Sequence, residues 1–138
     1  MSVLADSVRR VLYEWLRGPA TEEQIQAVEA QLKLALPVAF REILKVSDGV
    51  PTAGEVVLYE TASLWERNEQ WAQVAQRAPG FVAIGDDSGG RVLLMRAEPW
   101  ATSVELCDVV ALDDPTSFIH VTDSLHVWLQ SGLELPST

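Results

Sequence analysis

The stretch FVAIGDDSGGRVLLM, residues 81–95, decides the fold because two short apolar runs surround a joint of turn-forming residues. Residues 81–84 and 91–95 carry the aliphatic and aromatic side chains that strands favour. The joint from Gly85 to Gly90 contains only glycine, aspartate and serine, the residue types that turns favour. The stretch therefore predicts two antiparallel strands joined as a hairpin.

Further strands are predicted on both sides of this hairpin. Residues 55–59 form a short β-rich run, and residues 104–112 have strand character that is interrupted near Asp108. Residues 118–121 fit either a strand or a loop. Short strands that follow one another without crossover helices predict an antiparallel sheet, so we expect an α+β fold with about four to six strands.

N-terminal helices are predicted before this sheet. The apolar residues of the first helix share one face and stand at positions 8, 11, 12, 15 and 16. A Gly-Pro pair at 18–19 ends this helix, and Thr21 with Gln24 forms a capping box that starts a second one. Pro37 suits the first turn of a third helix, which the Asp-Gly pair at 48–49 ends.

A central helix is predicted between the strand at 55–59 and the hairpin. Ser63 and Glu66 form a second capping box at its start. The apolar register then places Leu64, Trp71 and Ala75 on its inner face. The sequence thus predicts one amphipathic helix that covers the sheet.

A short C-terminal helix completes the predicted architecture. Thr122 or Asp123 caps this helix, and Gly132 ends it. Its predicted core residues are Leu125, Trp128 and Leu129. The fold predicted for the chain is thus an antiparallel sheet flanked by N-terminal helices, a central helix and a C-terminal helix.

Length and charge restrict the class of protein. The 138 residues fit one domain that spans residues 1–138. Twenty acidic residues against ten basic ones give a net charge of −10, which excludes binding that depends on phosphate neutralisation and disfavours anionic membranes. No apolar run of about 18 residues is present, and charges interrupt the N-terminal apolar segment. We therefore expect a cytoplasmic location.

The sequence does not predict an enzyme. The joint GDDSGG at 85–90 superficially resembles the serine motif of trypsin-like proteases, but it carries an extra aspartate and neither histidine precedes it. It also lacks the lysine and the following helix that a phosphate loop needs. His120 and His126 are six residues apart and have no metal-ligand spacing. Cys107, the only cysteine, lies in an apolar run and is expected to be a buried, inert thiol. We therefore expect no catalytic residue, metal or cofactor.

Binding to a protein partner is the function that the charge favours. Acidic residues in loops and on exposed helix faces could meet a basic partner and accelerate the encounter. Asp86 and Asp87 are the first candidates for this contact, followed by Glu60, Glu66 and Glu69. Changing both aspartates to asparagine is expected to slow association and to leave folding nearly unchanged.

The five tryptophans divide into two groups. Trp15, Trp71 and Trp128 fall in the apolar register of their helices and are expected in the core. Trp65 and Trp100 lie off that register, where they fit either the core or an interface, because tryptophan is enriched in binding hot spots. These two residues join the candidate partner-binding set.

Several motifs in order resemble the SUKH superfamily, which includes the yeast Smi–Knr cell-wall regulators and many bacterial immunity proteins. Its opening is similar to TEEQI at 21–25, VE at 28–29, LP at 36–37, FREIL at 40–44 and SDG at 47–49. Its second signature resembles FVAIGDDSGG at 81–90. Its closing helix is similar to Ser124, Leu125, Trp128 and Leu129. The resemblance covers about residues 20–131.

This resemblance implies an α+β domain without catalytic residues. Bacterial members are often immunity proteins, which bind and block the toxic C-terminal domain of a polymorphic toxin, frequently a nuclease or a deaminase. The leading hypothesis is therefore a cytoplasmic immunity protein whose acidic surface meets a basic toxin domain. The alternative is a cytoplasmic interaction or scaffold module with no toxin partner.

Overall fold

A computed structural model describes residue 6 and residues 17–136. The predicted first helix, with Trp15, lies outside the described residues apart from Asp6, which is helical. None of the helices in the described part is long and apolar enough to cross a membrane.

Six strands form one antiparallel sheet. Its strands are β1 (Val50–Ala53), β2 (Val56–Leu58), β3 (Phe81–Asp86), β4 (Arg91–Arg96), β5 (Val104–Asp108) and β6 (Ile119–Thr122). Each strand pairs with the next one in the chain, so the order in space is the order in sequence. The predicted α+β class and antiparallel sheet are confirmed.

Helices before, between and after the strands flank this sheet. They are α1 (Glu22–Leu32), α2 (Val38–Leu44), α3 (Thr61–Trp65), the π-helix (Glu66–Trp71), α4 (Val74–Arg77) and α5 (Leu125–Gln130). Two short 3₁₀ turns, Val109–Ala111 and Pro115–Ser117, join β5 to β6. The predicted N-terminal, central and C-terminal helices are thus present.

The predicted capping box starts α1. The Thr21 hydroxyl accepts a hydrogen bond from the Gln24 N–H at 3.1 Å, and the Gln24 side chain accepts one from the Thr21 N–H at 2.9 Å. Ile25, Val28 and Leu32 are buried, as the apolar spacing requires. The position at which α1 starts is therefore determined by the local sequence.

The central hairpin has the predicted strands and one irregularity. Ala83 lies opposite Leu94 and Gly85 opposite Leu93, so β3 holds one extra residue between these pairs. A side chain at Gly85 would bring its Cβ within 2.2 Å of the Val57 carbonyl oxygen. Glycine is needed here because the backbone of β2, which pairs with β3, lies too close to this position for any larger residue.

The start of the central helix differs from the prediction. The helix begins at Thr61, and Ser63 is inside it. The cap comes from Asp48, whose carboxylate accepts hydrogen bonds from the Thr61 N–H at 2.7 Å and the Thr61 hydroxyl at 3.0 Å. The predicted box at Ser63 is wrong because a residue distant in sequence caps the helix instead.

The register of the central helix also differs. After α3 the backbone widens into the π-helix, which adds a residue to the turn and rotates the following side chains. Asn68 and Ala72 are buried beneath Leu64, whereas Trp71 is 40% exposed and Ala75 is exposed. The expected inner positions of Trp71 and Ala75 are therefore wrong; Ala75 lies beyond a break in the helix, because Gln73 has a φ of +52° and starts the separate helix α4.

The side chain of Asn68 joins the π-helix to the sheet. Its amide oxygen accepts a hydrogen bond from the Ala83 N–H at 2.8 Å, and its amide nitrogen donates to the Ala83 carbonyl at 2.9 Å. The same nitrogen donates to the Leu64 carbonyl at 3.0 Å. Since β2 pairs only with Gly85 and Asp86, the Asn68 amide satisfies the β3 backbone that the strand leaves open.

The C-terminal segment confirms one prediction and corrects another. Residues 118–121, which fitted a strand or a loop, contribute to β6, and β5 ends at Asp108 as expected. The hydroxyl of Ser124 caps α5 by accepting from the Val127 N–H at 3.3 Å. The predicted caps Thr122 and Asp123 are wrong, because Thr122 bonds to the Ser124 N–H instead.

Replacing Asn68 with alanine is predicted to lower the free energy of unfolding by about 2–4 kcal/mol, because it leaves a buried backbone donor and acceptor without partners. Gln70→Ala, at an exposed position of the same helix, is the matched control and is expected to change it by less than about 0.5 kcal/mol. Urea unfolding with an unchanged m-value measures both. Equal stabilities of the two variants would contradict this role of Asn68.

Candidate functional site

A groove of about 470 Å³ opens between the edge of the sheet and the central helix. We call it the Arg67 groove. Its walls come from β1, β2, the start of α3, the π-helix and the turn between β3 and β4. The residues that matter most are Tyr59, Glu60, Arg67, Trp71 and Asp86.

The floor of the groove is a buried hydrogen-bonded pair. The Tyr59 hydroxyl donates to a carboxylate oxygen of Asp86 at 2.8 Å, and the other oxygen accepts from the Ser88 N–H at 2.9 Å. Burial, together with the negative charge of Asp86, raises the pKa of Tyr59 far above its ordinary value. The phenol therefore stays neutral and remains a donor at physiological pH.

The Asp48-Gly49 pair shapes one end of the groove. Gly49 has a φ of +86°, and a Cβ there would lie 2.8 Å from the Glu60 backbone nitrogen. Glycine is thus needed both for this backbone conformation and for the close approach of Glu60. The sequence predicted that the pair ends a helix, but α2 ends earlier, at Leu44.

An ion pair lies at the rim. The guanidinium of Arg17 contacts the Glu60 carboxylate at 2.9 Å, with both side chains partly exposed. The backbone N–H of Arg17 also donates to the Ser47 hydroxyl at 2.8 Å. Glu60 is therefore held at the groove entrance rather than free in solvent.

Arg67 lies between two aromatic rings. Its guanidinium carbon is 5.8 Å from the centre of the Tyr59 ring and 5.3 Å from that of Trp71, distances at which cation–π attraction operates. Arg67 was not a predicted site residue. The rotation at the π-helix, which brings Trp71 out of the core and beside Arg67, has no signal in the apolar periodicity.

The structure places Asp86 and Asp87 in the hairpin turn with little exposure. Asp86 is 9% exposed and lies in the groove floor. The Asp87 carboxylate accepts from the N–H groups of Gly89 and Arg91 at 2.8 and 3.0 Å, and the Arg91 guanidinium lies 2.7 Å from it. Both carboxylates stabilise the turn, and a direct partner contact by either stays a prediction.

The remaining predicted contact residues are only partly brought together. Glu66 is exposed and Glu69 half-buried on the π-helix, close in sequence to Glu60 and Trp65, which is 36% exposed. Trp100 is 74% exposed and lines a second groove of about 690 Å³. We call this one the Trp100 groove.

The Trp100 groove is lined by an aromatic cluster. The rings of Phe81 and Phe118 meet edge to face, with centres 5.4 Å apart. The guanidinium of Arg96 lies 4.9 Å from the centre of the Phe81 ring. The groove includes none of the predicted acidic contact residues, so the candidate acids and Trp100 belong to different surfaces.

Cys107, His120 and His126 are each held by burial or by contacts with neighbouring residues. Cys107 is buried, and burial raises the pKa of its thiol. His126 contacts the Ala39 carbonyl at 3.0 Å. The hydrogen bond with Glu105 raises the pKa of exposed His120. Within residues 17–136, no group of three or more histidine, cysteine, aspartate or glutamate side chains could hold a metal ion.

Trp128 confirms its predicted place in the core. It is 5% exposed, and its indole N–H donates to the Glu134 carbonyl at 2.8 Å. This bond ties the segment after α5 to that helix.

Asp87→Asn is predicted to destabilise the protein by about 1–2 kcal/mol near neutral pH, because it removes the ion pair with Arg91. Burial raises the pKa of Asp87, but the hydrogen bonds from Arg91 and Gly89 outweigh it and hold the pKa below its ordinary value. A lowered folded-state pKa means that this stability is present above about pH 4 and is lost as the pH falls through the folded value.

Unfolding across this pH range tests the prediction, with Glu55→Gln as the control because Glu55 is exposed and forms no ion pair within residues 17–136. The stability difference between wild type and Asp87→Asn should vanish at the acid end. A variant as stable as the control at every pH would contradict it. The sequence alone predicts that changing Asp86 and Asp87 leaves folding nearly unchanged, whereas their low exposure favours a loss of stability; the unfolding experiment decides between the two.

Comparison with known families identifies the chain. The sequence model of the SMI1 / KNR4 family (SUKH-1) matches residues 19–131, which is most of the chain. No curated protein matches it significantly. The matched region runs from the residues before α1 to the end of α5. It includes the Asp48-Gly49 pair and the turn between β3 and β4, which both shape the Arg67 groove. The chain therefore belongs to the SMI1 / KNR4 family (SUKH-1).

Proposed function

We propose that this chain is a bacterial, cytoplasmic immunity protein that binds and neutralises the C-terminal domain of a polymorphic toxin. The toxin domain is a basic one, a nuclease or a deaminase, and the chain acts by stoichiometric binding rather than by catalysis. Family membership supports this proposal, because the resemblance to SUKH proteins implies such a role for bacterial members.

The observation that carries the proposal is an acidic excess without internal compensation. Residues 17–136 contain eighteen acidic and eight basic side chains. Five of these basic residues already form ion pairs within the described part, namely Arg17, Arg41, Lys45, Arg77 and Arg91. Few basic side chains within residues 17–136 are therefore left to pair with the surplus carboxylates. A basic partner would neutralise them, and their field would accelerate its approach.

The exposed side of the π-helix is the proposed centre of this field. Glu66 and Glu69 form no ion pair within residues 17–136, and they lie on the π-helix, which also carries Arg67 and Trp71 of the groove. Charges at the rim of an interface act on the association rate and its salt dependence more than on the final contacts. These glutamates are therefore expected to steer the partner to the groove.

Calorimetry against the C-terminal domain encoded immediately upstream tests the function directly. We expect one-to-one binding in the nanomolar range, which weakens with salt, and rescue of cells that express that domain. Absence of binding and rescue would contradict the immunity role and favour an interaction module with other partners.

The double variant Glu66→Gln, Glu69→Gln is predicted to lower the association rate constant about three- to tenfold at low salt. Its matched control is Glu42→Gln, Glu134→Gln, which removes the same charge from exposed positions of α2 and the segment after α5. Stopped-flow kinetics at several salt concentrations measures both. Equal rates for the two double variants would show that overall charge, not the π-helix, steers the partner.

A further inference from the structure

Arg67 is a positively charged residue of the groove to which the proposed function assigns no role. Arg67 has no hydrogen bond and no ion pair within residues 17–136, although carboxylates outnumber basic groups there by more than two to one. Its neighbours on the π-helix include Glu66 and Glu69, and neither contacts it within ion-pair distance. A carboxylate-rich chain thus leaves this guanidinium unneutralised at an open groove.

The groove's own acids are already occupied. The Asp86 carboxylate accepts from the Tyr59 hydroxyl and from a backbone N–H. Glu60 pairs with Arg17 at the rim. Asp48 caps α3. None of them can turn to Arg67 without losing a contact that shapes the groove.

The contacts of Arg67 leave its donors available. A guanidinium is planar, with five N–H groups pointing outward in its plane. The rings of Tyr59 and Trp71 attract its cationic face and consume none of these donors. They also restrict the long side chain before any partner arrives, which reduces the entropy lost on binding. A planar, bidentate acceptor such as a carboxylate fits these free donors.

We propose that Arg67 anchors a side-chain carboxylate, from an aspartate or a glutamate of the protein partner, in this groove. An apolar side chain next to that acid packs against Trp71, which is 40% exposed, and Pro51. The identity of the partner rests on the proposed function, but the chemistry of the site does not. Steering by surplus acids lacks specificity, and the bidentate contact supplies the register in which the partner is held.

A library of short random peptides, selected against the full chain, tests this inference. A net charge of −10 by itself favours basic peptides, so an acidic consensus reports a local cation. We expect enrichment of an aspartate or glutamate beside an apolar residue. In calorimetry, Arg67→Gln should lower the affinity for the best peptide roughly tenfold. Changing the acid of that peptide to its amide should lower its affinity for the wild-type protein by the same factor.

Two further variants separate the anchor from general effects. Arg96→Gln removes the same charge from an arginine that also lies over an aromatic ring, but in the Trp100 groove, and should leave the affinity unchanged. Arg67→Lys keeps the charge without the planar fork and should recover only part of the affinity. Unchanged unfolding midpoints show that the variants are folded.

Any of three results would overturn the inference. These are the absence of an enriched acidic consensus, equal affinity of wild type and Arg67→Gln for the peptide, or a loss of affinity in Arg96→Gln instead of Arg67→Gln. The selection contains no toxin domain. Failure of the immunity function therefore leaves a positive result intact, and failure of the peptide selection leaves the immunity function to its own test.

Discussion

The side-chain amide of Asn68 fixes the relation between the helical layer and the sheet. It replaces a neighbouring strand for one residue of β3, meeting both the N–H and the carbonyl of Ala83 at ordinary hydrogen-bond distances. A buried backbone group without a partner is costly, so β3 can end its pairing with β2 here only because Asn68 is present. The bond also defines which side of the π-helix faces inward, and hence that Arg67 and Trp71 face the groove.

Asp48 and Gly49 play the matching role at the other end of the central helix. The carboxylate caps the first residue of α3, and the glycine lets the chain pass within van der Waals distance of Glu60. Together with Asn68, this pair holds the helix at both ends. The Arg67 groove is the space that these two attachments leave between helix and sheet.

The parts predicted from sequence are those that local chemistry determines. The hairpin is set by turn residues between two apolar runs, and α1 by a capping box whose members are three residues apart. The start of α3 could not be predicted in this way, because its cap lies thirteen residues earlier in the chain. The π-helix could not either, since apolar spacing assumes a constant number of residues per turn.

The candidate site shows the same division. The sequence places Glu60 and Asp86 as acids near turns, and both line the same groove. The burial of Asp86 follows from a tertiary contact with Tyr59, and the position of Arg67 follows from the rotation at the π-helix. Neither the burial of Asp86 nor the position of Arg67 can be predicted from the neighbouring residues in the sequence. Charge counting predicts a basic partner, whereas the groove that we propose as its binding surface could be identified only from the fold.

Hydrogen exchange, measured with and without the upstream-encoded toxin domain, shows whether the partner binds at the Arg67 groove. We expect slower exchange in residues 57–71 and 86–90, with residues 98–105 around Trp100 unchanged. Protection confined to the Trp100 groove would contradict it and assign the partner to the other surface.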